Sequence, residues 1–137
     1  MTTRPFHVVE LDHLVLRVAS LQASLAFYRD VLGCKLEREL PELGLYQLRA
    51  GSQLIDLVPI GTKLGGDAVV RGGRNLDHFC LNVAPFDEAA LREWLQAHAV
   101  VASESGRRYG AHGYGTSLYV TDPDGNTVEL KAVTPVL

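Results

Sequence analysis

Two imidazoles and two carboxylates stand at matched places in this 137-residue chain. His13 lies in LDHLVLRV (Leu11–Val18) and His78 in LDHFCLNV (Leu76–Val83), 65 positions further on. Asp56 lies in LIDLVPI and Glu129 in TVELKAV, each acid flanked by apolar neighbours. Tyr46 precedes Asp56 by ten residues, and Tyr119 precedes Glu129 by ten. Neutral imidazole and carboxylate together suit a divalent first-row metal, and two His with one acid leave positions open for a substrate. A single such His is ordinarily a core histidine bonded to backbone, and a single acid can pair with an Arg across a sheet. Repetition at matched positions favours metal binding by His13, His78 and Glu129. Asp56 is the fourth candidate, with a shorter side chain to reach the same point.

Side-chain alternation along a strand sets which faces these groups occupy. In the first strand Leu14, Leu16 and Val18 share one face, and His13, Val15 and Arg17 share the other. In its repeat Phe79, Leu81 and Val83 share one face, and His78, Cys80 and Asn82 the other. The apolar faces suit packing under a helix. The mixed faces suit a partly wet cavity into which four ligands can converge if a pseudo-twofold axis relates the repeats.

The elements that must hold them follow in order. His7 to Val18 reads as a strand, and Ser20 as the N-cap of a helix with Leu21, Leu25, Tyr28 and Leu32 on one face and Gly33 closing it. Strands are expected at Cys34–Glu39, Leu45–Ala50 and Gln53–Ile60, with Gly51-Ser52 as a tight turn. Gly61 to Asn75 reads as a connector. The order then restarts with a strand at Leu76–Val83 and a helix introduced by Pro85 and Asp87, with Leu91, Trp94 and Leu95 on one face. A short strand at Val100–Glu104 and a Gly-rich loop at Ser105–Gly115 follow. Strands at Thr116–Thr121 and Asn126–Val133 flank the turn Asp122-Pro123-Asp124-Gly125. The chain is thus one β-α-β-β-β unit used twice, at about 8–63 and 74–134, and neither half can bury its sheet face alone. An α+β single domain over 1–137 is the expectation.

Bulk composition narrows the partners. A net charge of −3 with scattered Lys and Arg gives no basic footprint for nucleic acid or anionic membrane. No apolar run reaches membrane-spanning length, and the N-terminus lacks a signal-peptide core, so a cytoplasmic address is expected. Two cysteines, Cys34 and Cys80, fit a reducing compartment and read as buried small hydrophobes. His7 and His98 read as structural or exposed.

LDHLVLRV, SLAFYRDVLG (Ser24–Gly33), LDHFCLNV and SLYVTDPDGNTVEL (Ser117–Leu130) together resemble the vicinal oxygen chelate superfamily. That group includes glyoxalase I, fosfomycin-resistance proteins, extradiol dioxygenases and bleomycin-resistance proteins. The resemblance covers about His7 to Val133. It implies paired βαβββ modules forming a cupped, barrel-like mixed sheet with helices outside, and a divalent metal (Ni, Zn, Mn, Co or Fe) on His13, His78, Glu129 and Asp56. Glyoxalase I-like members normally have Glu at the position of Asp56, so Asp is a departure. Such members also use an Arg at the place of Arg17 against an anionic thiol, which implies glutathione or a similar cosubstrate. Catalysis by Lewis-acid stabilisation of an enolate or oxyanion is implied, with Glu129 as base and Asp56 as its opposite number.

The expected function is a glyoxalase I-like enzyme acting on a small substrate with vicinal oxygens. A small extradiol-type dioxygenase and a fosfomycin-modifying transferase are the other enzymatic readings. A non-catalytic, bleomycin-resistance-like sequestering protein is the competing class, and the ligand set argues against it. Homodimers are common among such proteins, and the sequence leaves open whether the site lies within one chain or across an interface. Asn82 against Arg17 makes the halves unequal and places both among substrate-binding candidates. Arg107, Tyr109 and Tyr114, in the loop GRRYGAHGYG, are either a cover for an anionic substrate or an ordinary solvated loop.

Overall fold

The computed structural model describes residues 4, 7, 9–67 and 76–133. The first module runs β1 (His13–Val18), α1 (Leu21–Leu25) continuing as a π-helical segment (Ala26–Val31), β2 (Lys35–Leu40), β3 (Leu45–Ala50) and β4 (Gln53–Pro59). The second runs β5 (Phe79–Val83), α2 (Glu88–Ala97), β6 (Gly106–Gly110), β7 (Gly113–Thr121) and β8 (Thr127–Ala132). Each module makes a four-stranded mixed sheet, in orders β1-β4-β3-β2 and β5-β8-β7-β6. The first strand of each lies parallel to the last, and the remaining pairs are antiparallel. The doubled β-α-β-β-β order is the one the sequence repeat implies.

Local chemistry explains the boundaries. The Ser20 hydroxyl accepts from the Ala23 amide, and the Asp87 carboxylate accepts from the Ala90 amide, so both helices start on side-chain caps. Gly33 ends the first helix at φ +81, a conformation that glycine adopts without steric cost. The helix is not α-helical throughout. Leu32 donates to the Phe27 carbonyl, an i to i−5 bond that widens the last turns. Phe27 and Tyr28, consecutive in sequence, are both buried there.

Both sheets share one core. Leu16, Val18, Leu48, Ile55 and Leu57 from the first meet Leu118, Val120, Val128 and Leu130 from the second, with Phe27, Tyr28 and Leu95 from the helical segments. Alternate residues on the same strands therefore face away from it. Trp94 packs less deeply than its helical spacing suggests: it stays half exposed while its indole N–H donates to the Val31 carbonyl, tying α2 to the first helix. Cys34 is buried as expected, but Cys80 is exposed, because it shares the outward face of β5 with His78 and Asn82.

Four further expectations shift. Residues 9–12 are not in a strand, so β1 starts at His13 itself. Likewise β5 starts at Phe79, just after His78. Val100–Glu104 reduces to a single bridge between Ala102 and Val120. The Gly-rich segment is a hairpin rather than a loop, pairing Tyr109 with Tyr114. Its glycines make room for a side chain from β8. A Cβ on Gly110 would come 3.2 Å from Lys131 Cε, and one on Gly115 would come 2.8 Å from the Ala132 carbonyl oxygen. The connector is described only as far as Asp67, and residues 68–75 of it lie outside the described residues.

Signature segments join the modules. The Asp122 carboxylate accepts from the Tyr28 hydroxyl at 2.6 Å, and from the Asp124 and Asn126 amides of its own turn. Asp124 in turn accepts from the Ala19 amide and the Ser24 hydroxyl. Burial and the neighbouring Asp122 carboxylate push the Tyr28 phenol far above its ordinary range. The turn of the second module thus grips the first helix of the other.

Candidate functional site

The strand registers place the four ionisable groups in two pairs. Asp56 stands opposite Val15 across the parallel β1–β4 ladder, so it shares a face with His13. Glu129 stands opposite Cys80 across β5–β8 and shares a face with His78. Asp56 and Glu129 sit on central strands and are buried, at 4% and 6% exposure. The two histidines sit at the open ends of edge strands and remain accessible, with side chains 45% and 35% exposed.

The second pair is in contact. His78 Nε2 lies 3.2 Å from Glu129 Oε1, and the imidazole packs edge-on against Tyr119 at 5.4 Å between centroids. Arg108 covers the other aromatic flank, its guanidinium carbon 4.6 Å from the Tyr119 ring centre. The first pair is looser. The Gln47 amide nitrogen donates to both oxygens of Asp56 at 3.2 Å, and Arg38 donates to the Gln47 carbonyl oxygen at 3.2 Å. His13 lies on the same face, one same-face step along the β1–β4 ladder from Asp56, and its pKa is raised chiefly by the hydrogen bond to Asp12, with the Asp56 charge adding to it.

The donor chemistry fits a divalent cation. Two ligands each about 2.1 Å from one metal, at angles between tetrahedral and octahedral, lie about 3.0–3.4 Å apart. The His78–Glu129 separation falls in that range. Glu129 is nearly inaccessible and pairs with His78, and a carboxylate so placed calls for a positive neighbour. Among the described residues, however, no three or more His, Cys, Asp or Glu side chains gather as a metal cage. The sheets share their apolar faces, and on the opposite faces the candidates fall in two pairs, His13 with Asp56 and His78 with Glu129.

A family model of the glyoxalase/bleomycin resistance protein/dioxygenase superfamily matches residues 10–130, almost all of both modules. The chain belongs to this superfamily. Among curated relatives it is similar to a lactoylglutathione lyase of Salmonella typhimurium, at 36% identity over 126 residues, covering 89% of this chain and 91% of that one. It is also similar to a virulence protein of Salmonella typhimurium, at 29% identity over 127 residues, covering 88% and 82%. Among solved structures, one from the mobile metagenome of V. Pseudocholerae superposes with a TM-score of 0.76 at 33% identity, covering 95% of this chain and 98% of that one.

The remaining superfamily-type candidates are scattered. Arg17 donates through Nε to the Gly65 carbonyl at 2.7 Å and through its terminal nitrogen to the Asp67 carbonyl, so it anchors the start of the connector. Asn82 is exposed and reaches the Lys131 carbonyl at 3.5 Å. Arg107 lies over the Tyr114 ring at 3.8 Å, and Tyr109 meets Tyr114 edge-on at 5.1 Å, forming an exposed cationic and aromatic ledge on the β6–β7 hairpin.

Four residues escaped the sequence reading. Asp12 and Asp77 each approach the Nδ1 of the histidine that follows, at 2.6 and 2.7 Å. Their signal was present, since LDH occurs in both repeats. Gln47 had no sequence signal beyond its register opposite Asp56. Lys131 is 1% exposed on the Glu129 face, its ammonium donating to the Gly113 carbonyl at 2.8 Å. Only the spacing of glycines in the hairpin hinted at it.

Proposed function

We propose that this protein is a metal-dependent enzyme of the glyoxalase I-like type, working as a homodimer on a small substrate with adjacent oxygens. The observation that carries the reading is the 3.2 Å approach of His78 Nε2 to Glu129 Oε1 on a face turned away from the shared core. The face of one copy bearing His13 and Asp56 would meet the face of a second copy bearing His78 and Glu129. The likeness to a lactoylglutathione lyase at 36% identity favours this reaction type over ring cleavage or transfer to fosfomycin.

His13, His78 and Glu129 would hold the metal, with Asp56 as fourth ligand. A bound Ni, Zn, Mn, Co or Fe ion would supply Lewis-acid polarisation to the substrate. Glu129, buried and flexible by one methylene more than Asp56, takes the substrate proton, and Asp56 occupies the opposite side for its return. Arg17 and Asn82 make the two walls unequal. Arg107, Tyr109 and Tyr114 supply cationic and aromatic contacts for an anionic thiol such as glutathione.

Metal analysis and complementation test this together. Wild-type protein is expected to retain a divalent metal after reconstitution, and His13→Ala and His78→Ala each to lose it. Mixing the two variants should restore one metal per dimer, because one of the two sites in a mixed dimer regains both histidines. Turnover of the methylglyoxal–glutathione hemithioacetal should return with it. A wild-type protein that takes up none of the five metals removes the enzyme reading. Mixed variants that stay metal-free remove the shared site.

A further inference from the structure

We infer that Asp12 and Asp77 are positioning residues that lock His13 and His78 with the proton on Nδ1 and the Nε2 lone pair turned to the metal; this rests on the metal-site reading above. Each carboxylate oxygen lies against Nδ1 of the following histidine, at 2.6 Å in the first module and 2.7 Å in the second. An ionised carboxylate can only accept, so it selects the Nδ1–H form of a neutral ring. The second half-site shows the consequence. With the proton on Nδ1 of a neutral ring, His78 Nε2 and Glu129 Oε1 face each other at 3.2 Å as two acceptors, a pair that a divalent cation, or a second proton on the ring, would bridge. At His13 the ring lies on the Asp56 face, and its Nε2 has no hydrogen-bond partner among the described residues.

The geometry comes from the place where each strand begins. Asp12 and Asp77 precede β1 and β5, and the Asp12 carbonyl accepts the first ladder bond, from the Leu54 amide, while its side chain stays free of the sheet. In a regular strand adjacent side chains point to opposite faces, so an acid could not bond the histidine beside it. Because the strand starts only at or after the histidine, the acid can fold back onto Nδ1. This explains why β1 is shorter than the sequence pattern suggests and why both repeats keep Asp before His. Carboxylates placed on the second nitrogen of a ligating imidazole fix its orientation and raise its basicity, and their loss typically lowers metal affinity about 10–100-fold.

Tautomers can be read in the metal-free protein, which separates this inference from the metal-site reading. Nitrogen-15 correlation spectra, taken at a pH where both rings are neutral, should show His13 and His78 mainly as Nδ1–H in the wild type. Asp12→Ala and Asp77→Ala should return the corresponding ring to the Nε2–H form that free imidazole side chains favour. Asp12→Asn and Asp77→Asn keep an acceptor oxygen and should hold the Nδ1–H form. In chelator competition with zinc, the alanine variants should bind about tenfold or more weakly and the asparagine variants at intermediate strength. Wild-type rings found as Nε2–H, or alanine variants with unchanged tautomer and zinc affinity, overturn the inference. A wild type that binds no zinc while its rings are Nδ1–H overturns the metal-site reading and leaves the positioning intact.

Discussion

The two half-sites are built to one plan and held differently. In the second module Glu129 reaches its histidine directly, and Tyr119 with Arg108 walls the contact. In the first, Asp56 is one methylene shorter and is held from behind by Gln47, itself held by Arg38. The acids stand at matched positions, but the residue opposite each differs, Gln47 facing Asp56 and Tyr119 facing Glu129, as does the acid's length. The second half brings an imidazole and a carboxylate into direct contact, and the first restrains its carboxylate with an amide; under the proposed metal site the second half would be the stronger grip. Removing the stronger grip should therefore cost most. Glu129→Gln keeps the shape and removes the charge, and divalent-metal affinity measured by chelator competition is expected to fall at least about 100-fold. Retained affinity would mean that the two halves are equivalent after all.

The closing turns differ as sharply. Asp122 to Asn126 reaches across to Tyr28, Ser24 and Ala19. The matching turn of the first module, Gly51-Ser52, carries no carboxylate and instead lines a cavity of about 410 Å³ with Cys34, Cys80 and Asn82. Of these two turns, the second module's is the one that clasps the other module. Tyr28→Phe leaves the buried Asp122 without its hydroxyl donor and is expected to lower stability by about 2 kcal/mol in urea unfolding. The pH dependence follows from the raised phenol pKa. The folded state keeps Tyr28 neutral, so its contribution is complete below the unfolded value near about 10 and declines as pH rises above it. Alkaline destabilisation above that point should be shallower in Tyr28→Phe than in the wild type. Equal slopes would show that the fastening lies elsewhere.

A smaller effect sharpens the first comparison. Asp56→Asn removes charge from a group already satisfied by Gln47, so metal affinity should fall only about tenfold. Asp56→Glu should recover wild-type affinity or exceed it, since the longer acid can reach as Glu129 does. Competition titrations of the two variants side by side decide this. A loss matching that of Glu129→Gln would make Asp56 an equal ligand.

Much of this was legible in the residues. Strict alternation in LDHLVLRV and LDHFCLNV placed the histidines and the core residues on opposite faces, and caps at Ser20 and Asp87 fixed both helix starts. What the pattern could not carry was reach and approach. Whether Asp56 touches a histidine depends on one methylene and on Gln47, which meets it only through the β3–β4 register. Whether four ligands converge depends on how two sheets share a core, and periodicity within each strand says nothing of that. FYRDVLG and DPDGN were recognisable as signatures, yet their chemistry is the clasp between modules.

The outer hairpins show the same limit and carry the mildest test. In the first module the β2–β3 turn has Gly44 at φ +73, where a Cβ would strike the Thr62 side chain, an ordinary turn glycine under a packed neighbour. In the second, Gly115 has ordinary backbone angles and serves only for space, beneath the Ala132 carbonyl and beside the Lys131 ammonium. Composition alone reads both as loop residues. Gly115→Ala must push a backbone carbonyl at 2.8 Å, and overpacking of one methyl group is expected to cost about 1 kcal/mol. The cost should shrink in a Lys131→Met background only if the ammonium, rather than the carbonyl, resists the methyl group. A double-mutant cycle in urea therefore separates the two. Full additivity would assign the glycine to β8 backbone approach, and coupling would assign it to the seating of Lys131 on the Glu129 face.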